Sequence, residues 1–238
     1  MTVTVVSALL TNVNEYRSVD KYIEYGKQLI SIPINKVIYV EQYIYDTYFK
    51  NWEYDEKYTV FRITEKKDNY LYEYLDKLPN FNLNTGNPGK DTIEYMFVQC
   101  NKTEWVRNAI LENPYATDQF IWLDFGIRHM FSSDEEFTRQ VLSLNSKSYL
   151  EVRIAKGACY PRDIYTNIVW YFLGTVFGGH KDELIRFADK MKEKCLSVMN
   201  EKGTICWEIN LWYLISNEYP ELFNGYVADH NNSIVANY

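Results

Sequence analysis

The chain has 238 residues, 47% of them hydrophobic, and a formal net charge of −7. The hydrophobic share excludes a disordered chain, the acidic balance without a basic patch argues against duplex nucleic acid as a partner, and no apolar run reaches the length of a membrane span. A chain of this size suits one α/β domain with a sizeable buried core.

Thr2 to Leu10 is a β-branched run and reads as a first, buried strand, followed by a polar loop at Thr11, Asn12 and Asn14. Ser18 is placed to cap a helix running to about Ile30, with Tyr22, Ile23 and Leu29 on its inner face. Lys36 to Val40 reads as a second strand ending at Glu41, and this β–α–β opening predicts a parallel sheet covered by helices. Glu41 to Lys50 reads as a short helix, Tyr58 to Ile63 as a strand, and Tyr70 to Leu78 as a helix stopped by Pro79. Asn80 to Lys90, polar with two Gly and a Pro, reads as a loop suited to a flap. Ile93 to Leu111 has helical character with a break near Asn101.

Phe120-Ile121-Trp122-Leu123 is an unbroken bulky run that suits a central strand buried on both faces. It ends in Asp124, with Gly126 two residues on. In an open α/β sheet ligands sit beyond the carboxyl ends of the strands, so Asp124 is either a metal or substrate ligand or the cap of the following turn. Ser133 with three acids after it resembles a helix start. Tyr149 to Ala155 reads as a strand, and Ile168 to Phe177 is strongly apolar and runs into Gly178-Gly179. Asp182 to Met199 and Ile205 to Ile215 have helical spacing, Phe223 to Ala228 is a last short strand, and Asp229-His230-Asn231-Asn232 a polar tail. No internal repeat or linker interrupts the chain.

Cys100, Cys159, Cys195 and Cys206 are widely spaced without a CxxC pair, which suits free thiols in a reducing compartment. The N-terminus lacks the basic and apolar regions of a signal peptide, so a cytoplasmic location is expected. The glycine-rich and nucleophile signatures of dinucleotide-binding, P-loop, α/β-hydrolase and zinc-protease sites are all absent. Three features remain. The first is Asp124 with Arg128 and His129; the second is Gly178-Gly179 ahead of a helix, either an anion-binding turn or a tight strand end. The third is Glu208, set among apolar residues and costly to bury alone, with His230 in the tail; Glu208 could equally face solvent, and a lone His in a terminal segment is usually a surface residue. One combination joins them: Asp124 and His230 hold Mn²⁺ or Mg²⁺ against a diphosphate leaving group, and Glu208 deprotonates an acceptor hydroxyl or positions the sugar. That is the layout of a metal-dependent nucleotide-sugar transferase of the GT-A kind.

The sequence also resembles the bacterial HtrL/YibB family, related to WlaTC-like glycosyltransferases. The resemblance is carried by Thr4 to Leu10 and the Tyr22 helix, by Asn101-Lys102, Ala109, Asn113-Pro114 and Phe120 to Ile127, by Thr175 to Asp182 with its Phe-Gly-Gly turn, by Trp207-Glu208, by Pro220 to Phe223, and by Asn237-Tyr238. Thr103 stands where the family pattern has Pro, Trp207 where it has an acid, and Gly126 in the second acidic position of an Asp-x-Asp. The resemblance implies one α/β domain over residues 1–238, GT-A-like, with a central, mostly parallel sheet flanked by helices. It implies a hexosyltransferase-type enzyme moving a sugar from a nucleotide-diphosphate donor, UDP favoured, to a glycan, lipid-linked or protein hydroxyl. Asp124 and Glu208 are then the catalytic candidates; Ser7, Asn12, Arg17, Lys102, Arg128, Gly178 and Gly179 the donor-binding ones; Asp124 and His230 the metal ligands. The alternatives are an inactive GT-A-like module that binds a glycan or protein, and a hydrolase built on Asp124 and Glu208, which would need a defined short separation between them.

Overall fold

A computed structural model describes residues 2–11, 13, 18–160 and 162–238. The elements in chain order are β1 (Val3–Leu9), α1 (Val19–Ser31), β2 (Lys36–Val40), α2 (Gln42–Ile44), β3 (Thr59–Ile63), α3 (Ile93–Cys100), α4 (Lys102–Glu112), β4 (Gln119–Leu123), α5 (Asp134–Ser143), β5 (Val152–Lys156), β6 (Phe172–His180), α6 (Lys181–Lys202), α7 (Glu208–Glu218), β7 (Phe223–Val227) and α8 (Ser233–Ala236). The strands form one seven-stranded sheet in the order β3-β2-β1-β4-β6-β5-β7. β1 pairs in parallel with β2 and β4, and β2 with β3. Among the described residues only β6 runs against its neighbours, opposing β4 (Trp122 beside Phe177) and β5. The expected architecture, a mixed α/β domain on a mostly parallel sheet flanked by helices, is the one the chain adopts.

β4 shows why its run is unbroken. Alternate side chains point to opposite faces. Phe120 and Trp122 enter the core beneath α4, α6 and α7, whereas Ile121 and Leu123 enter the one beneath α5 and α8. All five residues of β4 are buried. Trp105, Trp122 and Phe177 stack in series, with ring centroids 5.9 and 6.3 Å apart. The expected caps form: Ser18 accepts from the Lys21 N–H and Ser133 from the Glu136 N–H. Ile23 and Leu29 of α1 are buried as expected, while Tyr22 is only half-buried. Gly26 lets α1 lie on Phe125, whose ring occupies the space a Cβ there would need.

The break at Asn101 is real, separating α3 from α4. No α-helix forms over Tyr70–Leu78, which holds a 3₁₀ turn at Tyr72–Tyr74. There the Asn69 side chain accepts from the Leu71 N–H and donates to Phe97 O, giving the backbone an alternative to helical pairing. Strand β6 also runs further than the apolar run suggested, carrying Gly178 and Gly179 inside the sheet. The four cysteines are unpaired, three of them buried. Among the described residues no helix is long and apolar enough to cross a membrane.

Lys36 opens β2 fully buried, its ammonium donating to Ile32 O at 2.5 Å and Ile34 O at 2.7 Å. Burial pushes its pKa down from 10.5 to about 7, against a smaller opposing pull from Asp55. The unfolded chain therefore holds this proton to higher pH than the folded one. The resulting cost is full below about pH 7 and disappears as pH approaches 10.5. Urea unfolding should show stability rising with pH across that window. Lys36→Met should flatten the rise; an unchanged slope would exclude Lys36 as its source.

Candidate functional site

β1 and β4 end side by side, and the chain beyond each forms one edge of the sheet. Asp124 is the first residue past β4, still tied to β6 by its N–H to Thr175 O at 3.1 Å. Two donors meet its Oδ1: the Trp122 indole N–H at 2.8 Å and the Lys102 ammonium at 3.1 Å. Lys102, in the first turn of α4, is 3% exposed. Its Nζ also lies 3.0 Å from Glu208 Oε1 and 3.0 Å from Gly174 O. An ammonium has three N–H donors, and here three acceptors surround it. Burial alone would lower the pKa of Lys102, but Asp124 and Glu208 together raise it above the ordinary lysine value. The cation is therefore kept. A Cβ at residue 174 would fall 2.2 Å from Glu208 Oε1, so glycine there is what admits the carboxylate.

A cavity of about 550 Å³ opens over this cluster. Asp124, Lys102, Tyr95, His129 and His230 all face it, with the end of β1 through Thr11 as its far wall. The imidazoles of His129 and His230 stand 6.2 Å apart. His129 Nδ1 lies against Gly126 O, so that nitrogen carries the hydrogen. Burial, then Glu208 and Asp124, push the Tyr95 phenol well above its ordinary pKa, so it stays neutral. Thr11 is fixed by its N–H and hydroxyl to Glu41 Oε2, at 2.7 and 2.5 Å, which joins the tips of β1 and β2.

Asp124 and His230 both line this cavity, and Lys102 lies against the first of them. Glu208 is placed differently from expectation. It is 5% exposed and does not line the cavity; its carboxylate sits behind Lys102. A general base must come within hydrogen-bond reach of the hydroxyl it deprotonates, so this position suits a positioning partner of Lys102. Four donor-binding expectations need correction. Gly178 and Gly179 pair with Ile121 and Phe120, toward the opposite end of β4 from Asp124. A Cβ on Gly178 would lie 2.5 Å from Phe120 O, and one on Gly179 2.3 Å from Glu151 O. Both glycines serve close packing within the sheet. Ser7 is fully buried, its hydroxyl donating to Leu123 O at 2.6 Å, and staples β1 to β4. Arg128 turns to Asp134 at the start of α5 and to Phe131 O. Asn12 and Arg17 lie outside the described residues. Tyr95 and Trp105 escaped sequence reasoning, since an aromatic on a helix looks the same whether it meets a core or a cavity.

Among the described residues no group of three His, Cys, Asp or Glu is placed to hold a metal ion. Asp124 and His230 could contribute two ligands. That fits Mg²⁺ or Mn²⁺ only in the manner of a cation that completes its shell with water and substrate phosphate oxygens.

A family model described as "Bacterial protein of unknown function (HtrL_YibB)" matches residues 6–232. The chain belongs to the HtrL_YibB family. The matched range holds every described residue of the cluster and the cavity. No curated protein matches the chain. Among solved structures, mouse xyloside xylosyltransferase 1 in its apo form is 10% identical, with 94% of this chain and 84% of that one covered and a TM-score of 0.46. The 4-diphosphocytidyl-2C-methyl-D-erythritol synthase of Anaerococcus prevotii is 7% identical, with 96% and 87% covered and a TM-score of 0.43. Likeness at this level assigns neither activity nor ligand.

Removing Lys102 leaves Glu208 as an uncompensated buried charge. Lys102→Met should cost about 3–5 kcal/mol of stability in urea unfolding, and the double variant Lys102→Met/Glu208→Met should recover much of it. Equal losses in the single and double variants would contradict the pairing. Gly178→Ala should destabilise by about 1–3 kcal/mol through overpacking against Phe120 O, while leaving nucleotide-induced thermal shifts unchanged if the residue has no part in donor binding.

Proposed function

We propose that the chain is a glycosyltransferase that takes its sugar from a nucleotide-diphosphate donor, UDP favoured, and passes it to a hydroxyl of a glycan, lipid-linked or protein acceptor. The observation that carries this reading is the half-exposed Asp124 at the tip of the central strand, held by Trp122 and Lys102 and facing a cavity shared with His230. A nucleotide-sized ligand fits a cavity in this size range. The GT-A reading calls for a mostly parallel sheet with the ligand beyond its carboxyl edge, and the cavity lies at that edge.

In this reading Asp124 and His230 hold a divalent cation together with the donor diphosphate. The cation would offset the charge that develops on the leaving diphosphate. Lys102 fixes the Asp124 carboxylate from behind, and Glu208 acts through Lys102 as a positioning residue. Tyr95, neutral and at the cavity wall, offers a hydroxyl to a ribose or phosphate oxygen.

A panel of UDP, GDP, CMP and dTDP tests this by thermal shift, each with Mn²⁺ and with EDTA. A ligand at a hundredfold excess over Kd stabilises the folded state by about 2.7 kcal/mol. One nucleotide should raise the melting temperature in Mn²⁺, EDTA should abolish the rise, and Asp124→Asn should reduce it. An equal rise in EDTA would remove the ligand role from Asp124 and His230. Absence of any rise would favour a binding module of the same fold.

A further inference from the structure

The segment between β5 and β6, residues 157–171, leaves the sheet at its carboxyl edge, the edge that carries Asp124. Gly157 N–H donates to Tyr171 O at 3.1 Å and Tyr160 N–H to Val169 O at 3.0 Å, so the segment's two ends pair. Asn210 clamps it from below. This side chain, fully buried on α7 two residues after Glu208, accepts from the Val169 N–H at 3.1 Å and donates to Ile164 O and Asn167 O, each at 2.7 Å. The loop beside the cavity joins it through Asn84 N–H to Thr166 O at 2.7 Å.

Within this clamped segment Trp170 has a φ of 55°. For a bulky residue that is a strained conformation, of the kind that persists only where surrounding structure imposes it, and such strain clusters at ligand sites. The close approach of its carbonyl leaves no room for a Cβ on Gly157, which would lie 2.7 Å away. The indole is nevertheless 40% exposed. Folding therefore leaves a large aromatic residue partly in water at a strained backbone position. Tyr160, whose N–H donates to the neighbouring Val169 O, is 48% exposed.

Thr175, whose carbonyl accepts from the Asp124 N–H, is five residues from Trp170, at most about 17 Å along the chain. That is the reach of a short oligosaccharide extending from the cavity. A pyranose presents an apolar face of C–H groups bordered by hydroxyls. An exposed indole complements such a ring.

We propose that Trp170 is the stacking platform for a sugar ring of a glycan acceptor. This rests on the glycosyltransferase reading above and narrows its acceptor to an oligosaccharide.

An array of bacterial-surface oligosaccharides and simple trisaccharides tests it, probed with the full chain, Trp170→Phe and Trp170→Gly. Glycine adopts a φ of 55° without strain, so the Gly variant should fold, as checked by circular dichroism. The wild type should bind at least one glycan, the Phe variant should retain it, and the Gly variant should bind about tenfold more weakly or worse, a difference of about 1.4 kcal/mol. Undiminished binding by Trp170→Gly, or no glycan bound by the wild type, would overturn the platform. The nucleotide reading is scored separately on the wild type. Glycan binding that depends on Trp170, without any nucleotide shift, would leave the platform standing and overturn the transferase.

Discussion

The buried ammonium of Lys102 is the contact on which the site depends. It joins three parts of the chain distant in sequence: the tip of β4 through Asp124, the start of α7 through Glu208, and β6 through Gly174 O. Each part is shaped to accept it. The helix break at Asn101 begins α4 where Lys102 can point into the sheet edge. Gly174 lacks the Cβ that would displace Glu208. Glu208 stands in the first turn of α7, where the helix dipole favours a carboxylate. A buried ion cluster of this kind is weak evidence for stability, because desolvation of the charges opposes their attraction. Its evident product is geometric: one carboxylate held in fixed orientation at the mouth of a cavity.

The same helix ties the site to its rim. α7 presents Glu208 to Lys102 and, two residues later, Asn210 to the 157–171 segment. Any shift of the start of α7 would thus move both the support of Asp124 and the base of the loop that carries Trp170. The edge that carries Asp124 and the exposed aromatic share one mechanical anchor.

Much of this was legible in the sequence where local pattern determines the outcome. The bulky run Phe120–Leu123 demanded burial on both faces, and its terminal acid had to emerge at the strand tip. Ser18, Ser133 and the break at Asn101 acted as their types predict. The pairing of Lys102 with Glu208 spans 106 residues, and no local pattern encodes such a contact. Gly178-Gly179 misled for a specific reason. Two glycines before a helix look alike whether they cradle an anion or pack inside a strand. The difference is the direction of β6, whose antiparallel course carries them away from Asp124. Strand direction is a tertiary property, set by which neighbours cover the sheet.

Charge gives the strongest physical argument for a cation. Asp124, Glu208 and Lys102 together carry one net negative charge, with Asp124 alone of the two carboxylates facing the cavity, and the chain as a whole carries −7. Two unit charges 4 Å apart interact by about 4 kcal/mol at the effective dielectric of a protein surface. A diphosphate approaching the exposed face of Asp124 would meet repulsion of that order from the carboxylate. Lys102 offsets only part of it, since its ammonium is already shared with Glu208. A divalent cation between Asp124 and the phosphates would turn the repulsion into attraction at both contacts. It would need few protein ligands to do so, because the phosphates would supply part of its shell. In the proposed reading a cation arriving with its nucleotide would need no more than a sparse site, with Asp124 and His230 on the wall of one cavity. The orientation of Asp124 would then determine how the donor lies, and the buried lysine would hold that orientation.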